Sequence, residues 1–348
     1  MKRIKIPITL EDGTKVEAMA PVIVSASRAT DIPAFYSQWM IERLKAGYVV
    51  WTNPFNRKDS YVSFNKCKVI VFWTKNPRPL MPYLNELDKR GIHYYFQYTL
   101  NDYEQENLEP NVPSLEDRVK TFIELSKRIG KERVIWRFDP IIMIPGMTVR
   151  QVLQRIWNVG NKIKGNTEKL VFSFVDVNGY RKVKRNMVNA TQVFDDINIE
   201  RAEPGTNQME EIIDGLAKMR DYWKTEGWNI ELATCAEGVD LSKYGVSHNR
   251  CVDAELMKKV FAEDKDLIHY LKYGEMKSEG DLFADDVNLK ELTDEDWKDK
   301  GQRKACGCME SKDIGRYNTC KHFCAYCYAN DSREAVLKNL GIENAMEK

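Results

Sequence analysis

Eight cysteines are spread unevenly along the 348 residues, and five of them fall between positions 306 and 327. The densest group is Cys320-Lys321-His322-Phe323-Cys324-Ala325-Tyr326-Cys327, a C-x3-C-x2-C string with an aromatic residue before its last cysteine. Three thiolates so close in sequence can wrap one corner of an iron-sulfur cube, each on its own iron, and leave the fourth iron open. A structural zinc site asks for a fourth protein ligand, usually in paired C-x2-C or histidine spacing, and the triplet supplies none locally. Cys235, Cys251, Cys306 and Cys308 make a second set of four. Four thiols are the ligand count of a second iron-sulfur cluster; zinc satisfies the same count, and separate unliganded thiols are a third reading. His248 and His322 are alternative ligands. Cys67 precedes a strand and reads as a plain thiol on the opposite face.

Something must hold these residues in place, and one unit recurs along the chain. A helix closes on a basic or acidic residue and glycine, then a β-rich apolar run follows: Gly47 before Tyr48 to Trp51, Gly91 before His93 to Leu100, Gly130 before Arg133 to Phe138, Gly165 before Lys169 to Val175, and Gly227 before Asn229 to Thr234. Val22 to Val24 and Val69 to Trp73 complete a set of about seven strands. Nearly continuous apolar runs suit parallel strands covered on both faces. Ser114 to Asp117 and Thr148 to Gln151 resemble capping boxes before helical stripes. Without a Gly-x-Gly-x-x-Gly turn, the alternation predicts an α/β fold: a complete or partial (β/α) TIM-like barrel of parallel strands with a cysteine-rich C-terminal tail. The expected divisions are residues 1–275 for the barrel, 276–300 for an acidic excursion, and 301–348 for a cluster-bearing segment packed on the barrel mouth.

In such a barrel the loops at the carboxyl ends of the strands build the site. Arg28, Asp31, Lys75, Arg137 and Asp139 are the candidates for chemistry, because charges among apolar strand residues need a partner or a ligand. Thr52, Asn53, Asn76, Gln97, Ser173 and Asp176 are candidate cofactor contacts, chosen because they end strands. The basic run Arg181 to Arg185 reads as a solvated loop. With 53 Lys+Arg against 52 Asp+Glu and 43% apolar residues, the chain is a folded globular protein without the charge of a dominant nucleic-acid footprint. No apolar run is long enough to span a membrane and no signal peptide is present, so a cytoplasmic location with no membrane partner is expected.

The C-x3-C-x-aromatic-C string resembles the signature of the radical S-adenosylmethionine (SAM) superfamily. That resemblance implies a 4Fe-4S cluster on Cys320, Cys324 and Cys327, with SAM chelated at the open iron and Tyr326 beside its adenine. It also implies reductive cleavage of SAM to a 5′-deoxyadenosyl radical, and a reductant such as flavodoxin or ferredoxin. Cys324 to Tyr328 and Phe72 to Pro77 are distantly similar to spore photoproduct lyase. Ser25 to Pro33, Asn53 to Asn56, Phe72 to Pro77, Val134 to Pro140 and the cysteine tail look closer to an uncharacterised bacterial family defined by a radical SAM-like cysteine cluster at its C-terminus, over about residues 20 to 332. Auxiliary clusters in the superfamily add weight to a second 4Fe-4S cluster on the set of four. The motif here begins 29 residues from the end rather than after the first strand, and Gly-Gly-Glu and Gly-x-Ile-x-Gly strings are missing. The substrate, whether nucleic acid, peptide or small molecule, stays open. A zinc-stabilised nucleic-acid- or protein-binding module is the rival expectation.

Overall fold

The computed structural model describes residues 4–53, 56, 58–235, 237–238, 240–276 and 289–341. Its centre is a sheet of eight strands, all parallel: β3 (Ile23–Ala26), β6 (Val69–Thr74), β7 (His93–Thr99), β8 (Val134–Ile141), β9 (Lys169–Phe174), β10 (Glu231–Thr234), β11 (Val246–His248) and β12 (Lys312–Asp313). From one edge to the other the order is β11-β10-β9-β8-β7-β6-β3-β12. Neighbours are therefore consecutive strands of this sheet, except that β12 returns from the tail to lie beside β3. That strand brings the segment before the cysteine triplet into the sheet itself.

A smaller sheet of four strands holds β1 (Lys5–Thr9), β2 (Lys15–Met19), β5 (Asp59–Ser63) and β4 (Tyr48–Thr52), in the order β1-β2-β5-β4. The run Tyr48 to Trp51, expected as a barrel strand, is thus a strand of this second sheet. The reason is connection length: a short link joins β4 to β5, whereas a parallel crossover needs a dozen residues or more, so the two pair antiparallel. Val50, which would be buried in a doubly covered strand, is 46% exposed.

Helices cover the outer face of the large sheet. Ser114 and Thr148 cap α4 (Leu115–Ile129) and α5 (Val149–Ile163) as their sequences predict, and the Thr148 box with Gln151 is complete. The apolar stripe of α7 (Thr206–Thr225) packs Trp223 between Trp157, stacked at 5.4 Å, and Trp228 at 4.8 Å. Gly160 of α5 makes room for this cluster: a Cβ there would lie 2.5 Å from the Trp223 ring. On the other face Ile23, Val69, Val71, Tyr95, Ile135, Val171 and Ala233, one or two from each of six strands, join Val252, Met257 and Trp297 in a second apolar cluster.

The sheet curls around that inner cluster. Tyr95 and Gln97, on the central strand β7, reach the chain beyond the edge strand β11: Tyr95 Oη and Gln97 Nε2 donate to Cys251 O at 2.7 and 3.0 Å. At the seam Met309 N, just before β12, donates to Val252 O at 3.0 Å. β11 and β12 do not pair with each other among the described residues, so closure of the expected barrel stops at this seam. Of the acidic excursion, residues 277–288 lie outside the described residues, and Asp294–Trp297 forms the short helix α10. No described helix is long and apolar enough to cross a membrane.

Gly160→Ala tests the outer packing. Overpacking against Trp223 is expected to cost about 1–3 kcal/mol in denaturant unfolding, and an unchanged midpoint would contradict this arrangement.

Candidate metal centre

The tail crosses the carboxyl ends of β3 and β6, and each contact that fixes it is specific. Arg28 N donates to Asp313 Oδ2 at 2.8 Å, and Gly315 passes so close that a Cβ there would sit 1.8 Å from Ser27 Oγ. Farther on, Tyr36 Oη donates to Thr319 O, Asn330 Nδ2 to Cys320 O, Ala325 N to Leu108 O and Tyr328 Oη to Arg28 O, all between 2.6 and 2.9 Å. The backbone of the cysteine triplet is thereby tied to three separate parts of the chain.

The strongest of these ties runs through Asp31 and His322. Asp31 Oδ1 accepts from Ala34 N at 2.9 Å, capping α1 (Ile32–Phe35), and from Thr74 Oγ1 at 2.7 Å. Its Oδ2 accepts from Lys75 N at 2.8 Å and pairs with His322 Nε2 at 2.8 Å. The other ring nitrogen of His322 faces Asn111 O at 3.2 Å, and the ring packs on Phe35 at 4.5 Å. Both ring nitrogens are therefore engaged with protein oxygens. Asp31, expected to line the mouth as a reactive carboxylate, is instead taken up in holding the loop, and His322 has no nitrogen left for a metal.

Below the triplet lies a buried ionic group. Lys75 Nζ sits 2.7 Å from Glu109 Oε1 and 2.8 Å from Tyr326 Oη, and Glu109 Oε2 is 3.3 Å from Arg118 Nη1. Asn101 Nδ2 donates to Glu109 Oε1 and to Tyr326 Oη at 3.2 and 3.0 Å, while Tyr326 Oη donates to Glu109. Burial pushes the Glu109 carboxyl up, but Lys75 and Arg118 outweigh it and hold it at about 2. Burial also works against the Lys75 charge; Glu109 and Cys324 hold it above the ordinary lysine value. Tyr326 is thus oriented by its hydroxyl within the protein. Asn101, Glu109 and Arg118 had no motif to announce them, although Asn101 follows β7 as site residues follow other strands.

Cys320, Cys324 and Cys327 are free thiols, each half-buried. Burial raises all three, Cys320 to about 12, and their mutual repulsion adds to it at Cys320 and Cys324. Lys75 acts in the opposite sense on Cys324 and Cys327. Burial alone thus favours the neutral thiols, and binding a metal would draw them into the thiolate form. Asn330 Oδ1, beside the triplet, and Arg28 Nη2 are buried without a partner. Among the described residues no three His, Cys, Asp or Glu side chains converge as ligands of one ion. A cube asks for a wider set, because each thiolate sits on a different iron.

A second group of thiols lies on the inner face. Cys235 Sγ and Cys251 Sγ stand 3.7 Å apart, and Cys251 N donates to Cys308 Sγ at 3.2 Å. Arg137 Nη1 donates to Cys251 Sγ and to Gln97 Oε1, both at 3.0 Å, and Arg137 Nε donates to Asp139 Oδ2 at 3.0 Å. Ser173 Oγ donates to Asp139. A hydrogen bond from Cys308 lowers the Cys306 thiol to about 7. Four of the expected site residues are therefore joined here: Gln97 and Arg137 bond to Cys251, and Asp139 and Ser173 continue the network from Arg137. Arg28 lies over the Trp73 ring at 4.9 Å, within reach of the charges of Cys251 and Cys308.

The remaining candidates stand elsewhere. Thr52 and Asn53 end a strand of the small sheet, where Thr52 Oγ1 donates to Asp59 at 2.6 Å. Asn76 and Asp176 close turns by accepting from Arg78 N at 3.3 Å and Gly179 N at 2.6 Å. Cys67 is buried away from both thiol groups, with burial pushing it up to about 12. The basic run begins α6 (Arg181–Ala190) rather than a solvated loop. Lys182 pairs with Asp331 at 2.5 Å and Arg185 donates to Asp331 O at 2.8 Å, so the run latches the tail.

Fold and site together define an α/β protein with two thiol groups at the strand ends of a curled parallel sheet. The chain belongs to the family described as a domain of unknown function, DUF1848, whose model matches residues 23–329 and so includes both thiol groups. No curated protein and no solved structure matches the chain.

Two variants test these contacts. His322→Ala is expected to expose the tail to proteolysis near residues 316–332, and an unchanged cleavage pattern would contradict the anchoring role. Glu109→Gln leaves Lys75 and Arg118 without their counter-charge and should cost about 3 kcal/mol. Because the folded carboxyl titrates below its ordinary 4.5, its contribution is present above pH 4.5 and lost as pH falls toward 2. The variant's unfolding free energy should therefore fall less steeply over that window, and an acid limb parallel to that of the wild type would contradict the assignment.

Proposed function

We propose that this protein is a radical SAM enzyme in which Cys320, Cys324 and Cys327 hold a 4Fe-4S cluster with one iron left to SAM. The observation that carries the reading is a triplet of free, half-buried thiols whose loop is pinned to the strand ends, with the Lys75 ammonium placed to favour thiolate at Cys324 and Cys327. When bound and reduced, the cluster would pass an electron to SAM and cleave its sulfonium, giving a carbon radical that takes hydrogen from the substrate. The curled sheet is consistent with a partial (β/α) barrel whose mouth the tail covers.

The chain's own residues have distinct parts in this reading. Asp31 and His322 fix the span between the first two thiols, and Asn330 holds Cys320 from the far side. Lys75 offsets negative charge at Cys324 and Cys327 while orienting Tyr326. A soluble reductant such as flavodoxin or ferredoxin, in the cytoplasm, would supply the electron.

Anaerobic reconstitution is expected to give a brown protein that loses about four irons per chain on Cys324→Ala. With dithionite it should convert SAM to 5′-deoxyadenosine and methionine. A colourless protein carrying only zinc after the same treatment would overturn the reading in favour of a zinc-stabilised binding module.

A further inference from the structure

The four remaining thiols come from three places in the sequence that meet at one place in the fold. Cys235 follows β10, Cys251 follows β11, and Cys306 and Cys308 precede β12. These segments border the seam where the two edges of the curled sheet face each other without pairing. Met309 N to Val252 O and Cys251 N to Cys308 Sγ bridge the seam, with little ladder to either side. We propose that Cys235, Cys251, Cys306 and Cys308 bind a second, thiolate-held metal centre, iron-sulfur or zinc, that clasps the seam. The proposal stands on this geometry and does not rest on the radical chemistry of the triplet.

The surroundings suit metal-bound sulfur. Three N–H groups aim at sulfur: Arg137 Nη1 and Asn249 Nδ2 at Cys251, at 3.0 and 3.2 Å, and Cys251 N at Cys308, at 3.2 Å. Such donors orient and stabilise thiolate ligands from outside. Two guanidinium groups face three of the four thiols, Arg137 at Cys235 and Cys251 and Arg28 at Cys251 and Cys308, and Arg28 Nη2 is buried without a partner of its own. Asn249 Oδ1 is likewise buried and unpartnered beside Cys251. The sulfurs stand in file, Cys235 next to Cys251, then Cys308, then Cys306, so binding would draw the outer members inward around the metal.

The test uses the full chain with Cys320, Cys324 and Cys327 all changed to Ala, which removes the first site. It is prepared anaerobically in two arms, one with iron and sulfide and one with zinc. The proposal expects this variant to retain metal: either an iron-sulfur chromophore or about one zinc per chain, the two arms showing which is held. Adding Cys251→Ser should abolish the retained metal, whereas adding Cys67→Ser should not. Alkylation mapped by mass spectrometry gives a readout that survives a misfolded Cys251 variant: metal in the triple variant should protect Cys235, Cys251, Cys306 and Cys308, and a chelator should expose them and lower the melting temperature. A folded triple variant with no bound metal in either arm, or one whose Cys235 and Cys251 are recovered as a disulfide with the same melting temperature, would overturn the proposal. If instead the triple variant keeps as much metal as the wild type, the reading of the triplet falls while this one stands.

Discussion

The site depends first on one buried carboxylate. Asp31, in the loop after the first strand of the large sheet, caps the helix that follows, accepts from the end of the neighbouring strand at Thr74 and Lys75, and holds the imidazole that lies between Cys320 and Cys324. Four partners on two oxygens use nearly all the acceptor capacity of a carboxylate. Removing it would leave several buried donors without partners at about 1–3 kcal/mol each, in two strands, a helix and the tail at once. A segment almost 300 residues away is thus placed with the precision of the sheet rather than that of a loop.

Charge is the second constraint. Thiols in a poorly hydrated place resist ionisation, and both thiol groups are faced by cations that are themselves held by carboxylates: Lys75 by Glu109, and Arg137 by Asp139. Each chain of opposite charges ends in the protein, at Arg118 in one case and at Ser173 in the other. The arrangement keeps buried cations in place before any metal arrives, so the cost of desolvating them is met within the fold. It also explains why polar residues sit on the inner face, where an ordinary parallel sheet would place only branched apolar side chains.

Much of this was legible in the sequence, and the parts that were not share a cause. Helix ends and strands with long apolar runs were readable because glycine punctuation and periodicity are local, as at Gly130 before β8 and Gly165 before β9. The pairing of Tyr48 to Thr52 with the small sheet was missed because its composition matches that of the buried strands; only the short link to β5 separates the two cases. β11 and β12 are three and two residues long and have no period to detect. Among site residues, Gln97, Arg137, Asp139 and Ser173 were recognisable as strand-end polar groups that join in the network reaching Cys251. Glu109 and Arg118 were not, since their roles exist only through the contacts of Glu109 with Lys75, Tyr326 and Arg118, and His322, an alternative ligand by sequence, is held by Asp31 instead. Asn76 and Asp176 show the limit of the strand-end rule, for a polar residue there can equally well close a turn.

The central claim, that the pinned triplet presents a cluster with an iron free for SAM, is tested most directly by electron paramagnetic resonance of the reconstituted, reduced protein with and without SAM. The account predicts the signal of a one-electron-reduced 4Fe-4S cluster whose g values shift when SAM is added, with both signal and shift missing in Cys324→Ala. A signal that SAM leaves unchanged, or one that persists with its shift in Cys324→Ala, would contradict it.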